Sequence, residues 1–125
     1  MKLHLARAEG RKLFSGYGRG YVAVNGERYQ HSVIVLPDRV LAWDAVGFGD
    51  LTESTFSRLA ALSLEILILG TGAQLRFPRP SVTQPLRDGG TALEVMDTHA
   101  ACRTYNILLS EDRRVGAALL IEPER

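Results

Sequence analysis

The chain has 125 residues, 46% of them hydrophobic and 23% charged, with fifteen basic residues against fourteen acidic and a formal net charge of +1. That length supports one domain, residues 1–125, able to bury roughly two-thirds of its extended-chain surface, so folding calls for neither a disulfide nor a cofactor. The near-neutral balance gives no field to gather a polyphosphate, which makes nucleic acid a poor default partner, and no apolar run approaches the ~20 residues of a membrane span.

Residues 1–10 have no hydrophobic stretch of signal-peptide length, and Glu9 interrupts any presequence-like basic helix, so the expected compartment is the cytoplasm. These ten residues are expected to be loosely held. Residues 12–24 interleave Gly16, Gly18 and Gly20 with Tyr17 and Tyr21, a pattern of bent extended chain rather than helix. Asn25-Gly26 then separates two β-rich runs and predicts a type I′ hairpin turn, because both central residues need positive φ. The return strand is expected over about 27–36, with Tyr29, His31, Val33 and Val35 on one face and Gln30, Ser32, Ile34 and Leu36 on the other. Pro37-Asp38 breaks it, and Val40-Leu41-Ala42-Trp43 returns as the second arm of a hairpin.

A loop over 44–50 leads to Asp50 or Thr52 as helix cap, with Glu53 in the first turn and Phe56, Leu59, Ala60 and Leu62 on one side. Glu65-Ile66-Leu67-Ile68-Leu69-Gly70-Thr71-Gly72 follows. Its unalternating apolar run reads as a central strand covered on both faces and ended abruptly by Gly-Thr-Gly. After a loop through Arg76-Phe77-Pro78-Arg79-Pro80, a short helical piece is expected near 83–87, limited by Pro85 and ended by Gly89-Gly90. Leu93-Glu94-Val95-Met96 is a strand parallel to the central one, reached by a right-handed crossover. Asp97 or Thr98 caps the longest helix, to about Ser110, with Ala101, Tyr105, Leu108 and Leu109 as its buried stripe and His99, Arg103 and Asn106 on its other side. Residues 115–121 close the domain as another buried strand, stopped by Pro123.

Several groupings invite a chemical reading. Gly70-Thr71-Gly72 after a buried strand, with Asp97 at the end of the next, has the outline of a dinucleotide site. The third glycine position is Leu75, however, and Pro78 and Pro80 stop a helix from opening directly at the turn, so a tight structural turn is favoured. Cys102, with His99 three residues before it, resembles an activated thiol, yet it lies beyond the first helical turn, and free cysteine is commonly buried. A single cysteine also offers neither a disulfide nor a multi-cysteine metal cage. Thr98, Arg103 and Asn106 are either a cap and a helix face or one wall of a pocket with the glycine turn, since strand ends and helix starts converge on one edge of an α/β sheet. For Asn106, backbone bracing is the favoured reading. Arg76, Arg79 and Arg87 with Phe77 form a local basic surface, either a solvated loop or a partner-protein epitope. His4, His31 and His99 are too scattered to be a ligand set, so no metal is expected.

Taken together, Trp43-Asp44, Asp50-Leu51-Thr52-Glu53-Ser54, the stretch from Glu65 to Gly72, Leu86-Arg87, Leu93-Glu94-Val95-Met96-Asp97-Thr98, Ala101-Cys102-Arg103-Thr104-Tyr105-Asn106-Ile107-Leu108 and Arg113-Arg114-Val115-Gly116-Ala117-Ala118-Leu119 resemble one family. It is that of mitochondrial respiratory complex I assembly factor 3 and the adipogenesis-associated protein, with many uncharacterised bacterial and archaeal members. The match runs in order over about residues 33–123. The resemblance implies a three-layer α/β single domain with a central mixed sheet, flanking helices and an additional β layer. It carries over Gly70, Thr71, Gly72, Asp97, Thr98, Cys102 and Asn106 as signature positions without attaching an activity to any. One departure is Glu111-Asp112-Arg113 where the family pattern has Glu-Gly-Arg, a turn at which aspartate tolerates left-handed backbone less well than glycine.

The resemblance implies no established enzymatic activity and no cofactor, and points to a non-catalytic interaction domain with protein partners, an accessory or assembly factor for a membrane-associated or respiratory complex. The alternative is a small-molecule-binding protein or enzyme with a pocket at the edge made by Gly70 to Gly72, Thr98, Cys102 and Asn106. Pairing of copies through an edge strand in the glycine-rich region stays open.

Overall fold

The computed structural model describes residues 10–123. The expectation for the first ten residues therefore falls, except for Gly10, outside the described residues. In chain order the elements are β1 (Phe14–Gly18), β2 (Tyr21–Val24), β3 (Glu27–Tyr29), β4 (Val33–Leu36), β5 (Arg39–Ala42), α1 (Glu53–Ala60), β6 (Ile66–Gly70), α2 (Pro80–Asp88), β7 (Ala92–Met96), α3 (Thr98–Ser110) and β8 (Val115–Leu119). They form a mixed α/β domain with two sheets, an antiparallel one in the order β1-β2-β3 and a five-stranded one in the order β5-β4-β8-β6-β7. In the larger sheet β6 is parallel to β7 and β8, and β4 is antiparallel to β5 and β8.

Every residue of β4, β6 and β8 is buried, the signature of strands covered on both faces. Ile34, Leu36, Leu67 and Leu69 point to one face and pack with Phe56 and Leu59 of α1 and Leu86 of α2. Val33, Val35, Ile66 and Ile68 point to the other, where they meet Ala101, Tyr105 and Leu109 of α3 together with Phe14, Val22 and Val24 of the small sheet. The three layers are thus the α1/α2 pair, the five-stranded sheet, and a layer shared by α3 and the small sheet.

Local chemistry explains the boundaries. Asn25 (φ 49) and Gly26 (φ 86) make the left-handed pair of the β2–β3 turn. The Asn25 side chain also ties that turn to the chain before β1, accepting from Leu13 N and donating to Arg11 O at 3.0 Å each. Thr52 caps α1, its hydroxyl accepting from Thr55 N. Asp112, the departure from the glycine pattern, adopts the left-handed conformation itself (φ 60), with a 3.1 Å ion pair to Arg11 beside it.

Several expected boundaries change. The strand expected over 27–36 is two strands in different sheets. The break falls at 30–32, where buried Ser32 turns inward, its hydroxyl accepting from Ile121 N (3.0 Å) and its carbonyl from Trp43 N (3.0 Å). The piece expected near 83–87 is a helix from Pro80 to Asp88, because Pro80 occupies its first turn, where a missing N–H costs nothing, and Pro85 is accommodated inside it. β6 is interior as expected, but the middle strand of the sheet is β8. On α3, Cys102 joins the buried stripe and Leu108 is only half-buried.

Candidate functional site

The C-terminal ends of β6 and β7 deliver the glycine turn and the start of α3 to the same edge of the larger sheet. Met96 is followed by Asp97, whose carboxylate accepts from Ala100 N at 2.9 Å and so caps α3. Thr98 is buried, and its hydroxyl joins three chain segments: it donates to Leu120 O (2.9 Å) and accepts from Gly72 N (2.8 Å). Thr98 N donates in turn to Gly72 O, and Leu120 N to Gly70 O, at 2.9 Å each.

Both glycines answer to this packing. A Cβ on Gly70 would lie 2.7 Å from Leu119 Cδ2 and 3.0 Å from the Thr98 Cα, so glycine lets the helix start approach the strand end. Gly72 has φ +92, and a Cβ there would meet Glu122 Oε1 at 2.9 Å. Thr71 is buried between them. Its hydroxyl donates to Gln74 O (2.6 Å) and accepts from Arg76 N (3.2 Å), anchoring the following loop from beneath.

Beside this junction lies a cleft of about 750 Å³. One wall is the β1–β2 turn at Gly18, Arg19 and Gly20, another is Gly72 with the first residues of α3, and the floor is residues 120–123. Of the residues singled out from sequence, the structure brings Gly72, Asp97 and Thr98 to the cleft and places Gly70 and Thr71 directly behind it. Cys102, Arg103 and Asn106 lie elsewhere, further along α3. Cys102 is 1% exposed, and burial pushes its thiol up to about 12, so it stays protonated and unreactive at neutral pH.

Arg103 and Asn106 lie on the side of α3 that meets β1, in line with His99. Asn106 accepts from Phe14 N and donates to Phe14 O, each at 2.9 Å. Arg103 donates to the Tyr17 hydroxyl at 2.7 Å, and His99 stacks on the Tyr17 ring with Nε2 3.0 Å from Gly18 O. This side of the helix is a polar seam against the second sheet. Sequence reading missed the cleft wall contributed by Gly18 to Tyr21 and the floor at Leu120 to Glu122. The glycine spacing marked a bend there, but only the docking of the small sheet brings that bend to the start of α3.

Residues 14–120 match the model of a family described as a protein of unknown function (DUF498/DUF598). The chain belongs to this family. It is 40% identical over 107 residues to NADH dehydrogenase (ubiquinone) 1 alpha subcomplex assembly factor 3 of Bos taurus, covering 84% of this chain and 58% of that protein. The chain thus spans little more than half the length of that relative. An uncharacterised protein of Rhodobacter capsulatus is 35% identical over 108 residues, with 86% of this chain and 83% of that one covered. The crystal structure of a Bordetella parapertussis protein superposes with a TM-score of 0.86 at 38% identity, covering 92% of this chain and 99% of that one. Within the family, the Gly70–Thr98 junction lies inside the matched region and the cleft floor at its C-terminal limit.

Among the described residues, no helix is long and apolar enough to cross a membrane, and no three His, Cys, Asp or Glu residues are grouped as a metal would need. The junction itself makes a stability prediction. Thr98→Val keeps the side-chain shape but leaves Leu120 C=O and Gly72 N–H buried without their partner, so urea unfolding should show a loss of about 2–4 kcal/mol, and Thr98→Ser a loss below about 1 kcal/mol. A Val variant as stable as the parent would show that the hydroxyl holds nothing.

Proposed function

We propose that this chain is a non-catalytic protein-interaction domain acting as an accessory or assembly factor for a membrane-associated or respiratory complex. The observation that carries the reading is the 40% identity, across 84% of the chain, to a protein named as an assembly factor of NADH dehydrogenase. Two features of the site agree with it. Gly70 O, Thr71 N and both backbone groups of Gly72 are paired with Leu120, Met96 and Thr98, which supports a bracing role for the turn. The one thiol is buried and burial raises its pKa, which supports a structural rather than nucleophilic role for Cys102. Affinity capture at native expression in the source organism should recover a stoichiometric protein partner belonging to such a complex, and deletion should reduce the assembled form of that complex on native gels. Full assembly without the protein, together with no recovered partner, would overturn this reading.

A second reading has its own observation, the cleft of about 750 Å³ beside Gly72, Asp97 and Thr98, a size typical of small-molecule sites. A ligand seated there would raise the melting temperature, by a shift that grows with the logarithm of its concentration once the site is saturated. A metabolite panel that leaves the melting temperature unchanged removes the reading.

A further inference from the structure

The loop that follows the glycine turn, residues 73–79, carries the most exposed apolar side chain among the described residues. Phe77 is 69% exposed and Leu75 52%, on either side of Arg76. Leu75 and Phe77 together group two large apolar side chains on one exposed loop, and it is grouping of this kind, not a single exposed hydrophobe, that marks an interaction surface. The loop under them is fixed in place. Buried Thr71 holds Gln74 O and Arg76 N, the Arg76 guanidinium reaches Gln74 (3.0 Å) and lies 5.9 Å from the centre of the Phe48 ring, and Pro78 and Pro80 restrict the backbone on the far side. An aromatic presented on a preorganised loop loses little entropy on contact, which is what an interface anchor requires.

The loop itself carries charge of one sign, with the Glu122 carboxylate beside Gly72 just before it. Arg76 and Arg79 are exposed on either side of Phe77, and residues 73–79 contain no acidic side chain. Arg79 is also the N-cap of α2, a helix start with no side-chain cap and no acidic residue in its first turn, so the positive end of the helix dipole adds to the two arginines. Arg87 folds back over the same turn, its guanidinium donating to Thr83, Gln84 and Pro80 O. Asp50, two residues along the chain from the Phe48 ring that Arg76 approaches, is turned to its own loop. Its oxygen accepts from Val46 N (2.8 Å) and Gly47 N (3.2 Å), which holds its carboxyl below the usual carboxylate range.

We propose that residues 73–79 with the start of α2 form a docking surface for an acidic segment of a partner protein, with Phe77 and Leu75 receiving an apolar residue of that segment and Arg76 and Arg79 its carboxylates. The proposal rests on the interaction-domain reading above and supplies its contact surface. A peptide segment is favoured over an anionic bilayer because the apolar part is confined to one loop and the chain's net charge is only +1, whereas surface binding to lipid draws on a broad basic face.

The test pans a displayed library of random 16-residue peptides against the intact protein, then measures binding of the enriched peptides to the parent, to Phe77→Ala and to Arg76→Glu/Arg79→Glu. Enriched peptides should carry several Asp or Glu residues around one Leu, Ile or aromatic residue. Their binding should weaken at least tenfold in each variant and fall as salt is raised from 50 to 500 mM. All three side chains are exposed, so unchanged melting temperatures will show that folding is intact. Peptides without acidic bias, binding indifferent to both variants, or no peptide enrichment combined with Phe77-dependent binding to vesicles containing phosphatidylglycerol would overturn the proposal. The readout is independent of complex assembly, so a failed surface and a failed assembly role give different results.

Discussion

One hydroxyl group sets the geometry on which the larger sheet and its longest helix depend. Thr98 Oγ1 donates to Leu120 O and accepts from Gly72 N, so a single side chain joins the end of β6, the chain beyond β8 and the first turn of α3. The arrangement requires α3 to begin almost in contact with β6, and Gly70 makes that possible by having no Cβ to collide with Leu119 and Thr98. In a nucleotide-binding turn, glycines keep the space above the backbone clear for a phosphate. Here the space over Gly70 is taken by Leu119 and Thr98, and Gly70 O, Thr71 N and both backbone groups of Gly72 are paired within the fold.

The same helix bridges the two sheets by two different means. Its buried stripe of Ala101, Cys102, Tyr105 and Leu109 is apolar and joins the core between the sheets. The adjacent line of His99, Arg103 and Asn106 is polar and bonds to β1. The partner of the polar line is β1, an edge strand of the small sheet. Its pairing with β2 is irregular between Phe14 and Gly16, and the Phe14 N–H and C=O are both taken by the Asn106 carboxamide, which does the work of a neighbouring strand. An edge held in this way has fewer free backbone groups to offer a second chain, which bears on association through the glycine-rich region.

Much of this was legible in the residues. The apolar runs of β4, β6 and β8, the Asn25-Gly26 turn, a helix cap at Asp97 or Thr98 and the parallel β6–β7 pair follow from local rules, and the family resemblance supplied the extra β layer; of the two cap candidates the structure uses Asp97. What escaped local reading depended on distant contacts. Nothing in residues 27–36 signals that the chain changes sheets at Gln30 to Ser32, because Ser32 is drawn inward by Ile121 and Trp43, far along the sequence. For the same reason, a mid-helix asparagine announces an unmet backbone group without saying which one. The cleft was half-legible: Gly72, Asp97 and Thr98 were identified, while its opposite wall at Gly18 to Tyr21 required the docking of a sheet whose place the sequence does not specify.

A glycine turn held by these hydrogen bonds to α3 and to the chain just beyond β8 is expected to be a rigid junction rather than an adaptable ligand loop. Native-state amide hydrogen exchange tests it most directly, residue by residue, at Gly72, Thr98 and Leu120, whose N–H groups donate to Thr98 Oγ1, Gly72 O and Gly70 O. If the junction is locked, these amides exchange only through global unfolding, with protection matching that of the interior amides of β6 and β8. Exchange at these amides through a low-energy local opening, while the strands stay protected, would contradict it.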